Sequence, residues 1–524
     1  MWQRLPVSEI KLSLLIQSKW RQLLLLSMVL LISSCRTLGP DFEEPDVKWL
    51  KNWQAGTEVG KATEDQPAIH SWWQQFDDPV LVSLIENARV ENLSLRIAAL
   101  RILESRAVQG IVGSSLYPQL QEITAATDLV STQQSGTGSQ DQVVTQAQGV
   151  VGWELDLWGR FQRAIETADA SFFASVSRQR DLQVLVTAQI ANLYFSYRVT
   201  ESRLAITRNN ASIQKRSFDI TEERFAEGEE SELDFQQART QYLATLSVIP
   251  QLEQSLRTTR NALCLLLGKP PGPIPLLTEN SPDLPSVEPS TLKKFPSQIL
   301  VQRPDVRVAA WQVAAQSAQI GIAEAEYFPA ISLLGSLGWS GSSLDAVPSA
   351  SALSVGPALR WRIFDHGAIL NSIRAENVKL QQAIESFQAT VLEAANEVDT
   401  ATYNVVKSNE QQKILDESVE AAWRALEIAN TRYREGYSDF QRVLTAQRAY
   451  FTQVERQILN RGLHLGAVVN FYKSIGGGWK SMSLEESIPE ETREKMSENL
   501  DWGDLFKAPL LDSPVENNKD LENE

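Results

Sequence analysis

The feature that most constrains this chain is a heptad repeat that runs unbroken through its second half. From Ala368 to Glu435 the sequence contains neither proline nor glycine. In one series with a spacing of seven, eight of ten residues are apolar: Leu370, Asn377, Ile384, Val391, Val398, Val405, Gln412, Val419, Leu426 and Tyr433. Three residues further on, eight of nine are apolar: Ile373, Leu380, Phe387, Ala394, Ala401, Ser408, Leu415, Ala422 and Ala429. This a/d seam predicts one coiled-coil helix of about 67 residues, about 100 Å long at a rise of roughly 1.5 Å per residue.

The first half of the chain predicts a second helix of the same kind, from Phe161 to Glu227. Its apolar seam includes Ile190, Tyr197, Leu204, Ala211, Phe218 and Phe225. An offset of 208 residues relates the two halves: Trp153 to Trp361, Gly159 to Gly367, Arg224-Phe225 to Arg432-Tyr433, Glu227-Gly228 to Glu435-Gly436, Ala238 to Ala446, Tyr242 to Tyr450 and Gly268 to Gly476. Tyr117-Pro118 recurs as Phe328-Pro329 at an offset of 211. One register held over this distance predicts a tandem repeat of about 200 residues per copy.

Shorter helices and four strands are predicted around the two long helices. The helices cover about 79–112, 232–267, 304–326 and 439–475, and the strands about 118–130, 142–157, 329–340 and 353–363. In the strands the apolar spacing changes to two, so that one face is apolar and the other is polar. Strands of about ten residues with this alternation are typical of membrane β-barrels. A half-buried hairpin of a soluble protein shows the same alternation, so the pattern alone leaves both interpretations open.

The N-terminus resembles a bacterial export and lipidation signal. Lys19 and Arg21 precede the apolar run Leu23 to Ile32, which fits the core of a signal peptide better than a membrane span. Ser33-Ser34-Cys35 follows, and small residues before a cysteine resemble the lipoprotein signal, in which Cys35 becomes the N-terminus and carries lipid. The next residue is Arg36 and not an aspartate, which in that signal resembles the pattern for sorting to the outer membrane. The alternative is ordinary cleavage near Ser34, with Cys35 there by chance.

Composition excludes several classes of function. The net charge of −16 argues against a nucleic-acid-binding protein, because phosphate neutralisation needs a basic surface. Removing residues 1–34, with four bases and one acid, changes this charge to −19. Three histidines and two cysteines leave little room for a metal cluster or a disulfide framework. We find no phosphate-binding loop and no glycine-rich dinucleotide turn. We therefore predict no catalytic, cofactor-binding or metal-binding residues, and no enzymatic activity.

Geometry then favours an oligomer. No run approaches the roughly 20 apolar residues of a membrane-spanning helix. Four strands cannot close a barrel, open edges are not tolerated in lipid, and about eight strands make the smallest membrane barrel. Several copies would have to contribute strands to one barrel, and three copies would give twelve.

Several motifs together resemble a known family. They are Gly39-Pro40-Asp41-Phe42 with Pro45, Trp72-Trp73, Phe76-Asp77-Asp78-Pro79, the run from Gly152 to Gly159, Gln302-Arg303-Pro304-Asp305-Val306-Arg307, Ala314-Ala315, Ile320-Gly321-Ile322-Ala323 and Tyr327-Phe328-Pro329. Over residues 35–480 the chain resembles the outer-membrane efflux protein family of TolC-like exit ducts, and within it the lipid-anchored OprM/NodT branch. The Gln302 to Arg307 segment itself is interpreted as structural, because Pro304 suits the first turn of a helix and Asp305 suits its positive end.

The resemblance implies a fold, a location and partners. The fold is mainly α with a membrane β-barrel: a trimeric twelve-stranded barrel, with four strands per chain, continuous with a long periplasmic α-helical coiled-coil tunnel. The implied location is the bacterial outer membrane, with a lipid anchor and a large periplasmic portion. The implied partners are two further copies, a periplasmic adaptor, outer-membrane lipid and an inner-membrane pump of the resistance-nodulation-division class. No cofactor and no nucleic acid are implied.

The organisation expected on this basis has six parts. They are a signal peptide 1–34, a lipid-anchored and equatorial segment 35–78, a first repeat 79–269, a linker 270–300, a second repeat 301–478 and an acidic tail 479–524. The tail shows little periodicity from 485 onwards, and we expect it to be disordered or loosely packed.

The candidate gate lies at the tips of the helix pairs. In the resembling family these tips form the periplasmic gate, often with an acidic ring, and relatives often carry Asp on the last helix. This chain has Arg442 and Thr445 there, and Asp234 at the first-half equivalent of Arg442. The gate candidates are Tyr433, Asp439, Arg442 and Asp234, and we hypothesise that Arg442 pairs with Asp234 or Asp439 in the closed state. A solvated tip without a gating role is the alternative.

The expected function is that of an exit duct, which passively conducts drugs, toxic compounds or metals from the periplasm or the pump to the exterior. Two alternatives remain open from the sequence. One is a protein-secretion duct of the same fold, and the other is a periplasmic coiled-coil lipoprotein without a pore.

Overall fold

The computed structural model of the chain describes residues 37–52, 69–134, 138–279, 284–285, 287, 299–341, 350–507 and 510. Cys35 and the predicted signal peptide lie outside these residues. Among the described helices, none combines the length and the apolar character needed to cross a membrane.

The secondary structure follows the predicted order. The helices are α1 Pro79–Glu91, α2 Leu93–Gly113, α3 Arg160–Ala226, α4 Glu232–Leu266, α5 Pro275–Glu279, α6 Ile299–Gln302, α7 Pro304–Ala325, α8 Ala368–Arg434, α9 Phe440–Ser474, α10 Leu484–Ser487 and α11 Glu490–Ser497. The strands are β1 Leu120–Gln134, β2 Gly138–Glu154, β3 Ala330–Gly341 and β4 Ala350–Arg360. The chain is therefore mainly helical with one four-stranded sheet, as predicted.

The two long helices have equal lengths and similar ends. α3 and α8 contain 67 residues each, and both begin directly after a glycine-containing turn in which Gly159 and Gly367 adopt positive φ. α4 and α9 contain 35 residues each. Gly228 and Gly436, just past the C-termini of the long helices, also have positive φ, of 75° and 77°. In each case the amide of the next residue donates to a carbonyl five residues back, which is the Schellman closure that glycine favours.

The predicted helix 79–112 is wrong in one respect, because it is two helices that meet at Asn92. Asn92 has a β conformation, and its side-chain oxygen accepts a hydrogen bond from the amide of Leu95 at 3.1 Å. Its side-chain nitrogen donates to the carbonyl of Leu266 at 2.8 Å. A buried contact with a residue 174 positions away thus ends α1 and starts α2, and the local spacing of apolar residues cannot reveal it.

All four strands are antiparallel and lie in the order β1-β2-β3-β4. Leu120 pairs with Gly152, Ser332 with Glu154, and Ala330 with Arg360. Because pairing preserves parity, all even-numbered strand residues share one face and all odd-numbered residues share the other. The odd-numbered face carries large apolar side chains that are exposed in the single chain: Ile123, Leu333, Leu337, Trp339, Leu353, Val355 and Leu359.

Two strands end earlier than their alternation predicts, because acidic side chains bind the start of the next helix. β2 ends at Glu154 and not at 157, and Asp156 accepts a hydrogen bond from the amide of Gln162 at 2.8 Å. β4 ends at Arg360 and not at 363, and Asp365 accepts from the amides of Gly367 and Ile369. Free helix amides recruit these carboxylates, which favours the turn over another strand residue.

The chain divides into two compact units. The first comprises the described residues within 1–45, 105–172 and 310–385 and contains the sheet; the second comprises the described residues within 46–104, 173–309 and 386–524. The core of the second unit includes Tyr194, whose hydroxyl donates to the buried Asp78 at 2.5 Å, while Asp78 also caps α1. The tail is more ordered than expected at its start, because Ser483 and Glu486 form a capping box ahead of α10.

Candidate gate at the helix tips

The two tips are built alike and lie in the second unit. The reversal between α3 and α4 ends at Ser231, and the reversal between α8 and α9 ends at Asp439, 208 residues later. Both residues are N-caps: the Ser231 hydroxyl accepts from the amide of Asp234 at 3.2 Å, and the Asp439 carboxylate accepts from the amide of Arg442 at 3.1 Å. The repeated offset therefore extends to the local hydrogen bonds of the tips.

An apolar cluster joins the tips. Ala238, Phe440, Val443 and Leu444 are buried together, and Phe218, Ala429 and Tyr433 pack against them. At the first tip the rings of Phe225 and Phe235 stack with centroids 5.3 Å apart. This packing holds all four helix ends at one level, so that the charged side chains of both tips lie close together.

Arg224 connects the two tips electrostatically. Its Nη1 donates to the Tyr433 hydroxyl at 3.2 Å, and its guanidinium lies 3.6 Å from the carboxylates of Glu229 and Glu230. Burial raises the pKa of Tyr433, and the nearby charge of Glu230 adds to the rise. Tyr433 therefore remains a neutral hydroxyl, which can accept from Arg224 at physiological pH.

The other three predicted gate residues lie at the N-terminal ends of α4 and α9, and the charge of Asp234 adds to the rise in the pKa of Tyr433. Arg442 Nε lies 3.8 Å from Asp439 Oδ1, with both side chains mostly exposed. Asp234 accepts a short hydrogen bond from the hydroxyl of Ser231. Of the two carboxylates hypothesised to pair with Arg442, the structure brings Asp439 close, and Asp234 is instead bonded to its own helix cap.

Arg442 occupies an unfavourable position for a cation. It is the third residue of α9, where the partial positive charge of the helix N-terminus disfavours arginine and favours an acid such as Asp234, at the equivalent place in α4. The capping carboxylate of Asp439 offsets this cost. Arginine at this position therefore does not stabilise α9 through the helix dipole.

Arg224 is not among the gate candidates predicted from the sequence. The signal was present, because the 208-residue offset maps Arg224-Phe225 onto Arg432-Tyr433 and so places Arg224 and Tyr433 at the same level. The contact between the two halves could not be inferred from the offset alone.

A strap follows the predicted lipidation site Cys35, which itself lies outside the described residues. In the first unit, the buried Arg163 side chain donates to the carbonyls of Leu38 at 2.8 Å and Gly39 at 3.1 Å, and pairs with Asp41 at 2.8 Å. A Cβ on Gly321 would lie only 2.4 Å from the carbonyl oxygen of Leu38. The Gly-Pro-Asp-Phe motif is thus held tightly against α3 and α7.

The Arg303 segment ties three helices of the second unit together. The buried Arg303 donates to the carbonyl of Ser474 at 2.6 Å and pairs with Asp305 at 2.7 Å and Glu397 at 2.9 Å. Asp181 of α3 shares this environment. Burial, together with the negative charge of Asp305, raises the pKa of Asp181 to about 6, while the positive charge of Arg303 opposes the rise.

A model of the outer membrane efflux protein family matches residues 84–269 and 295–477, which is more than half of the chain. The chain belongs to this family. This confirms the resemblance drawn from the sequence motifs.

Individual relatives are similar over most of their length. The solvent efflux pump outer membrane protein SrpC of Pseudomonas putida is 29% identical over 468 residues, which are 86% of this chain and 97% of that protein. Nodulation protein T of Rhizobium leguminosarum bv. trifolii is 27% identical over 462 residues, 87% of this chain and 97% of that protein. Among solved structures, the outer-membrane channel OprN is similar with a TM-score of 0.76 and 31% identity, covering 85% of this chain and 100% of that one.

The raised pKa of Asp181 predicts a pH dependence of stability. In the unfolded chain this carboxyl titrates near its model value of 3.8. The folded state therefore binds its proton more tightly, and the stability contributed by this group is lost as pH rises through about 6. Asp181→Asn should stabilise the protein more at pH 8 than at pH 4.5, with a difference of about 2 kcal/mol per chain.

Thermal unfolding of the purified protein at pH 4.5, 6 and 8 measures this difference. Asp399→Asn, at an exposed position of α8, is the matched control and should show a smaller dependence on pH. An equal gain for Asp181→Asn at all three pH values would contradict the prediction.

Proposed function

We propose that this chain is the outer-membrane exit duct of a tripartite efflux system. It passively conducts small molecules, such as drugs, toxic compounds or metals, from the periplasm or an inner-membrane pump to the exterior. The observation that carries the proposal is the combination, in a member of this family, of a sheet with one apolar face and two helices of 67 residues. Relatives are named as outer membrane proteins of solvent and toluene efflux pumps.

The chain is a tandem repeat in this proposal. The two segments matched by the family model begin 211 residues apart and end 208 residues apart, which are the two offsets found in the sequence. The equal lengths of α3 and α8, and of α4 and α9, support the same conclusion.

The working unit is a trimer whose sheets join into one twelve-stranded barrel. β1 and β4 are the edge strands of the described sheet, and their backbone groups need partners in lipid. Pairing β1 of one copy with β4 of the next satisfies both edges. The odd-numbered apolar face then contacts lipid, and the even-numbered face borders the conducted path.

An apolar stripe on α8 also supports association between copies. Leu392, Tyr403, Ile414 and Ile428 are exposed and fall within about 40° of one another around the helix. At the offset of 208, the equivalents of the first two in α3 are Val184 and Phe195, which are buried. Ile220, the equivalent of Ile428, is exposed in α3 as well, so it is at Leu392 and Tyr403 that a second copy would provide the cover.

The remaining partners follow from this role. A periplasmic adaptor and an inner-membrane pump of the resistance-nodulation-division class supply the cargo and the energy. Cys35 carries lipid and anchors the N-terminus in the outer membrane. A Cβ on Gly159 would lie 2.8 Å from the Cα of Thr37, so the strap contacts the turn between β2 and α3.

Purification of the full-length lipidated protein tests the duct. We expect a trimer that resists dissociation in SDS without heating, and discrete single-channel conductance in planar bilayers. A stable trimer that never conducts would instead indicate a structural lipoprotein. Deletion of the gene, followed by profiling of drug, solvent and metal susceptibility, would identify the cargo.

If Cys35 carries lipid, Cys35→Ala should no longer incorporate palmitate. Metabolic labelling with palmitate should label the wild-type protein and leave this variant unlabelled, because no other thiol follows the signal except Cys264, which is buried. Cys264→Ala is the control and should keep the label. Labelling of Cys35→Ala would rule out the anchor.

The gate is proposed to lie at the tips, with Tyr433, Asp439, Arg442 and Asp234 as its residues and Arg224 as an addition. Arg442 is held by the attraction of carboxylates in the closed state, either Asp439 of its own tip or Asp234 of a tip that lies beside it in the trimer. The position of Arg442 at the start of α9, where a cation is unfavourable for the helix, supports a role in contacts beyond the helix.

Arg442→Glu should raise the mean conductance of the trimer. The substitution replaces attraction to Asp439 by repulsion, while glutamate at this position favours the helix and so should preserve the fold. Single-channel recording at low salt is the measurement. Arg442→Lys and Arg424→Glu, an exposed arginine of α8 paired with Glu427, serve as controls. Conductance that is the same in Arg442→Glu and the wild type would eliminate this gate.

A further inference from the structure

Arg360 is unusual among the strand residues. Within the four strands as the structure describes them it is the only basic side chain, and the remaining charged residues are acidic. It is the last residue of β4, and its parity places it on the even-numbered face, together with Glu154 of β2 and with Glu122 and Asp128 of β1. One cation therefore interrupts an otherwise acidic polar face.

A cavity of about 270 Å³ lies beside Arg360 in the first unit. Its charged lining comprises three carboxylates and three guanidinium groups: Glu154, Asp156, Glu326, Arg160, Arg360 and Arg362. Its aromatic lining is Trp158 and Phe328, which stack with ring centroids 4.5 Å apart, and the Trp158 indole is fixed by a 2.9 Å hydrogen bond to the carbonyl of Pro329. The cavity thus combines guanidinium groups with a rigid apolar wall.

The three arginines differ in how firmly they are held. Arg160 lies 2.7 Å from one oxygen of Glu154, and Arg362 lies 2.5 Å from Glu326. Arg360 lies 3.9 Å from the other oxygen of Glu154, which is beyond hydrogen-bond distance, and its side chain is 80% exposed. Arg360 therefore has the donor capacity that the other two arginines use within the chain.

We propose that Arg360 and this cavity form a transient binding site for organic anions on the polar face of the sheet. The proposal rests on the proposed function, in which this face borders the conducted path. A guanidinium binds a carboxylate through two parallel hydrogen bonds, and the Trp158-Phe328 wall receives the apolar body of the anion. Glu154 keeps binding weak by competing for Arg360, and weak sites are what conduction requires.

Reversal potentials test the proposal with the purified trimer in planar bilayers. The probes are gradients of potassium benzoate, an aromatic carboxylate, and of potassium chloride. In Arg360→Gln the benzoate-to-potassium permeability ratio should fall about two- to threefold at about 0.1 M salt, and less at 1 M, where the Debye length shortens from about 10 Å to about 3 Å. The chloride ratio should fall less than the benzoate ratio.

Two variants control for charge alone. Arg360→Lys retains the cation but loses the bidentate geometry, and should recover the chloride ratio more completely than the benzoate ratio. Arg374→Gln removes an exposed arginine from α8, outside the sheet, and should change neither ratio.

Each contrary result has a distinct meaning. If Arg360→Gln conducts with an unchanged benzoate-to-potassium permeability ratio, the anion site is overturned and the proposed function stands. The same holds if the benzoate and chloride ratios fall equally, because this would indicate that Arg360 acts only through its long-range electrostatic field. Loss of the SDS-resistant trimer in Arg360→Gln, with Arg374→Gln intact, would also overturn the anion site by assigning Arg360 to an ion pair between copies. A wild-type trimer that does not conduct counts against the proposed function and removes this inference with it.

Discussion

The structure depends on covering the apolar faces of two helices that are each 67 residues long. A helix satisfies its own backbone, but in water its stability comes from packing an apolar face against neighbours. In the single chain the apolar seam is buried over much of both helices, at Ile190 in α3 and at Val391 and Val398 in α8, while Leu392 and Tyr403 of α8 are exposed. In the proposed trimer a further copy of the chain would cover these two side chains and would also pair the edge strands of the sheet.

The regular parts of the fold could be predicted because their signals are long. Nine heptads without a helix breaker fix α8, and the offset between the halves then fixes α3. The boundaries of helices and strands were harder to predict from the sequence, because each of them depends on the hydrogen bonds of one side chain. Asn92 divides α1 from α2 through a bond to Leu266, and Asp365 ends β4 early by binding amides of α8. Such contacts join distant or successive elements, and the spacing of apolar residues along the sequence does not reveal them.

The candidate site was only partly predictable for a related reason. The offset placed Tyr433 and Arg224 at the same level, but their hydrogen bond needs the packing of Phe440 and Val443 to bring the tips together. Asp439 illustrates a different difficulty, because an aspartate directly before a helix is already explained as its N-cap, and only its place at the tip makes it a gate candidate. Its carboxylate can cap α9 and attract Arg442 at once, so the two roles do not compete.

The two halves differ in charge where they are most alike in geometry. Ser231 and Asp439 cap equivalent helices, and Asp234 and Arg442 follow them at equivalent positions with opposite sign. In the proposed trimer, six tips would then alternate between acid and base around the entrance, and neighbouring tips would attract one another. Each exposed pair contributes at most about 1 kcal/mol and is weakened by salt. Under the proposed function, a ring closed by several such pairs would hold as a set, and a partner that binds the tips would open it by offsetting about a few kcal/mol in total.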